Sequence, residues 1–84
     1  MHYTVTTSPT AEEELAFIWI IASDRDAVSR ASNEIDKLLR RSPLSCGINH
    51  GSFRTLTVDP LLVAFTVSPD DRQVKILQFT YHGR

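Results

Sequence analysis

The sequence predicts an α+β domain in the order β-α-α-β-β-β: an N-terminal strand, a helical hairpin and a three-stranded antiparallel meander. Three observations carry this. From Phe53 to Tyr81, strand-like runs are separated by two proline-bearing turns. Ahead of them stand two segments with helical spacing. A short alternating segment opens the chain.

His2 to Thr7 alternates, placing Tyr3 and Val5 on one face and threonines on the other, as a half-buried strand requires. Ser8-Pro9 then starts a helix. Serine accepts hydrogen bonds from the first free N–H groups, and proline fits the first helical position. Glu12, Glu13 and Glu14 follow, where negative charge meets the positive end of the helix dipole. Within that helix Leu15, Ile18, Trp19 and Ala22 form one stripe, with Trp19 expected in the core. Phe17, Ile20 and Ile21 fall outside the stripe, so this helix is apolar nearly all round. Either the second helix and the sheet cover both sides, or a docking surface for another chain remains.

Ser23-Asp24-Arg25-Asp26 marks the next boundary, with Ser23 and Asp26 at capping-box spacing. The second helix runs to about Arg41. Val28, Ala31, Ile35 and Leu38 give its apolar stripe, with Leu39 beside it. Lys37, Arg40 and Arg41 favour its negative end, and Pro43 stops it. Residues 42–52 read as a Pro-, Gly- and Ser-rich loop without a phosphate-cradling glycine motif.

In the meander, Leu61, Val63, Phe65 and Val67 point toward the helices, and Leu62, Ala64 and Thr66 point away. The last run sets Val74, Ile76 and Gln78 on one face against Lys75, Leu77, Phe79 and Tyr81 on the other. Both faces are substantially apolar, which suits a strand inside the sheet. Asp70 and Asp71 serve the turn before it.

At 84 residues the chain is expected to be a single domain, 1–84, with a modest core. Nine Lys and Arg against ten Asp and Glu leave a net charge of −1, without the basic surplus of a protein that wraps nucleic acid. One cysteine, Cys46, excludes an intrachain disulfide. No His pair has metal-ligand spacing, so neither a metal nor a cofactor is expected. The longest apolar run is too short for a bilayer and no secretory signal opens the sequence, so the expected location is cytoplasmic.

Three phrases, YTVTTSPTAEEELAFIW (3–19), SRASNEIDKLLRRSPLSCG (29–47) and FRTLTVDPLLVAFTVSPDDRQVKILQFTYH (53–82), resemble in order those of the RelE/ParE superfamily. These are small toxins of bacterial type II toxin–antitoxin systems, and the likeness leans toward the plasmid-stabilisation, ParE-like branch. The resemblance implies a toxin acting by protein binding, with DNA gyrase as target and a cognate antitoxin that silences it. It leaves open a RelE-like endoribonuclease that cuts messenger RNA in the ribosome, and a non-toxic interaction module of the same fold. Self-association into a homodimer is a further expectation.

For the nuclease, the family pattern points to Arg54, Tyr81, His82 and Arg84. Cations stabilise the phosphorane-like transition state, and an aromatic or imidazole group moves protons. The pattern is incomplete, because apolar Leu62 stands where a second arginine is expected and the usual C-terminal extension is missing. For partner binding, Phe17, Ile21, Leu62 and Arg54 are the expected contacts.

Overall fold

Alternating β-formers and two capped helical segments condense into one mixed sheet covered on one face. The computed structural model describes residues 2–83. Its elements are β1 (Thr4–Thr7), α1 (Pro9–Ile21), α2 (Arg25–Arg41), β2 (Ile48–Asn49), β3 (Arg54–Val58), β4 (Leu61–Ser68) and β5 (Gln73–Tyr81). The strand order is β1-β5-β4-β3-β2. β1 runs parallel to β5, and every other pairing is antiparallel.

The meander forms from Arg54 to Tyr81 with both turns as expected. Asp59 and Pro60 alone join β3 to β4, across a cis peptide bond. Residues 69–72 join β4 to β5, with Ser68 and Gln73 paired at the base. The fifth strand, β2, lies inside the stretch expected to be loop. It pairs Ile48 with Thr55 and Asn49 with Arg54. Gly47 leads into it at φ +76°, and a Cβ there would run into the Thr55 carbonyl, so only glycine lets the chain approach β3 this closely.

The first helix is capped as the sequence predicts: Ser8 Oγ accepts from Ala11 N at 3.1 Å. The second is capped one residue later than expected. Asp24, not Ser23, accepts from Ala27 N at 3.0 Å, because Ala22 is buried and ends α1 before the chain turns. α2 buries Val28, Ala31, Ile35 and Leu39. Leu38, expected in that stripe, is half-buried beside it.

Two further expectations fail, each for a geometric reason. Trp19 is not a core residue; it stays 45% exposed. The buried line on α1 runs through Ala11, Ile18 and Ala22, and Trp19 lies about 100° further round the helix. Its ring edges the α1–α2 joint, with its indole N–H 3.4 Å from Ser29 Oγ and the Arg25 guanidinium 4.8 Å above the ring.

The second failure is the phase of β5. Ala64 pairs with Gln78 and Phe65 with Ile76, so Leu77 is the extra residue of a bulge. Past it the alternation flips. Phe79, expected opposite Val74 and Ile76, joins them in the core at 5% exposed, while Gln78 turns out to solvent. Tyr81 follows Phe79 and is half-buried against the core.

α1 closes the bulge. β1 ends at Thr7, so β5 beyond Ile76 lacks a strand neighbour on that side. Ser8 N donates to Ile76 O at 2.9 Å, Ser8 Oγ donates to Leu77 O at 3.2 Å, and Phe79 N donates to the Glu14 carboxylate at 3.1 Å. Replacing Glu14 with Ala should cost about 1–2 kcal/mol in urea unfolding, the cost of stranding one half-buried donor. Glu14→Gln, which keeps an acceptor oxygen, should cost less. Phe65→Ala, at the centre of the core, should cost about 3–5 kcal/mol by the same measurement.

Candidate functional site

One face of the sheet carries the helices and the other is open. Directly paired strand residues share a face. The partnerships Thr55–Ala64–Gln78, Thr57–Leu62–Thr80 and Thr66–Lys75–Thr6 therefore lie together on the open side. That face is dominated by threonine and glutamine. The strands contain two cations, Arg54 and Lys75, and only Lys75 belongs to the open face.

Arg54 pairs with Phe65, which is fully buried, so its side chain leaves the sheet on the helix side. There its Nε and Nη2 donate to the Cys46 carbonyl at 3.3 and 3.1 Å. This ties the loop after α2 to the start of β3. Burial pushes the Cys46 thiol up, against the opposing pull of the Arg54 guanidinium. The Cys46 Sγ lies 3.9 Å from Pro43 O as a weak donor.

Tyr81 and His82 stand at the far end of the strands. Tyr81 pairs with Leu61, which pairs with Val58, four positions along β3 from Arg54. That separation is about 13 Å at roughly 3.3 Å per strand residue. His82 is exposed, and its backbone N–H donates to Pro60 O at 2.8 Å beside the β3–β4 turn. Arg84 lies outside the described residues. Arg54 is thus not brought together with Tyr81 and His82. His50, near Arg54, stacks on Phe53 with centroids 4.9 Å apart and shares a 2.8 Å hydrogen bond with Thr55 Oγ1. Among the described residues no group of three His, Cys, Asp or Glu could hold a metal ion. No described helix is long and apolar enough to cross a membrane.

The expected partner contacts divide over separate surfaces. Phe17 (62% exposed) and Ile21 (51%) lie on the outer side of α1, together with Ile20 (65%). Leu62 is half-buried on the open face of the sheet, across the core from α1. A shallow apolar groove runs along α1, lined by Thr7, Glu12, Leu15, Ala16, Trp19 and Ile20. Neither α2 nor the sheet covers it, so the all-round apolar helix leaves a patch open. Ile20 was not among the expected contacts, although it is as exposed as Phe17. Its signal was present, since it falls with Phe17 outside the buried stripe.

The sequence matches no protein-family model and no curated protein. The architecture does match solved structures. The chain superposes with a TM-score of 0.83 on a chain of the toxin–antitoxin complex RelBE2 from Mycobacterium tuberculosis, covering 100% of itself and 95% of that chain at 16% identity. The fold is that of the RelE/ParE toxins. The likeness extends to the chromosomal ParDE system of P. aeruginosa, with a TM-score of 0.71, 18% identity and coverage of 95% and 96%. The YoeB dimer of Staphylococcus aureus matches at 0.68, with 23% identity and coverage of 98% and 99%. Within this fold the chain turns Arg54 to the helix side and, among the described residues, leaves Lys75 as the one strand cation on the open face.

Cys46 should react with iodoacetamide at neutral pH several-fold more slowly in the native chain than in urea, because the thiolate is the reactive form and burial disfavours it. Arg54→Ala should free the 42–52 loop, seen as faster amide exchange at Gly47 to Asn49, while leaving the β4–β5 pairing protected.

Proposed function

We propose that this protein is the toxin of a type II toxin–antitoxin pair and acts by binding a protein target, as ParE-like toxins do on DNA gyrase. A cognate antitoxin holds it silent. The fold supports the toxin reading, through its likeness to chains of toxin–antitoxin complexes. The observation that favours binding over cleavage is the scatter of the nuclease candidates. A phosphoryl-transfer site needs cations converging on the reacting phosphate, with a proton handler in hydrogen-bond reach. Here Arg54 is engaged by the Cys46 carbonyl, about 13 Å along the strands from Tyr81 by the usual strand rise. Leu62 occupies the open face instead of a cation.

A surface of threonine, glutamine and a single lysine suits a protein partner better than a polyanion. Leu62 and the smaller Ala64 are apolar contacts that this surface offers.

Induced expression of the chain alone should arrest bacterial growth, and co-expression of its antitoxin should relieve the arrest. Purified chain should inhibit supercoiling by gyrase. It should leave messenger RNA uncut in a translating extract, and Tyr81→Ala with His82→Ala should leave the arrest intact. Ribosome-dependent cleavage lost in Arg54→Ala would establish the nuclease instead, and tolerated high-level expression would remove the toxin reading.

A further inference from the structure

We draw no further inference here: the strongest candidate, the uncovered apolar face of α1 around Phe17, Ile20 and Ile21, carries nothing because nothing in the structure shows what covers it.

Discussion

The bulge at Leu77 is the constraint on which the rest of the structure depends. A strand that alternated strictly from Gln73 to Tyr81 would bury Val74 and Ile76 and expose Phe79 and Tyr81. The extra residue reverses the phase halfway, so all four aromatic and branched side chains meet the helices. Reversal releases backbone groups on the side where β1 has ended, and α1 takes them up through Ser8 and Glu14. The same serine caps the helix. One short segment therefore closes the sheet edge, starts the helix and sets the height at which α1 crosses β5.

That crossing decides what α1 can bury. Docked on β5 through Ala11, Ile18 and Ala22, the helix presents Phe17, Ile20 and Ile21 to solvent, because no further element comes round its outer side. A domain of this size has one sheet and one companion helix to offer, too little surface to wrap an all-apolar cylinder. The excess apolar character of α1 is thus directed outward. At the opposite side of the molecule, the open sheet face is broad and polar, and nearly free of cations. The two surfaces are separated by the core.

Much of this was legible in the residues. Ser8-Pro9 and the glutamates mark the start of α1. The Val28–Ala31–Ile35 stripe marks the buried side of α2. The two proline turns divide the meander where it divides, and the apolar excess of the first helix announces an uncovered face. These are local signals, set by spacing and by neighbours within a few residues. Three features were not legible, and all are non-local. The parallel partner of β1 lies some seventy positions away and leaves no periodic trace. β2 forms because Gly47 brings the backbone against Thr55, and two residues are too few to show alternation. The bulge looks in sequence like a strand apolar on both faces.

By itself, then, the sequence determined the order and kind of the elements, the caps of the helices within a residue, and the inward set of β4, since each follows from local propensity and period. Only the tertiary structure decided which side of the sheet Arg54 leaves from, that Trp19 stays at the rim, and that Phe79 turns inward. A side chain's face in a strand depends on the register with its neighbours, and a single bulged residue inverts it. Arg54 and Tyr81 leave the sheet on the same side, yet four strand positions lie between them and the Cys46 carbonyl holds Arg54 at its own end.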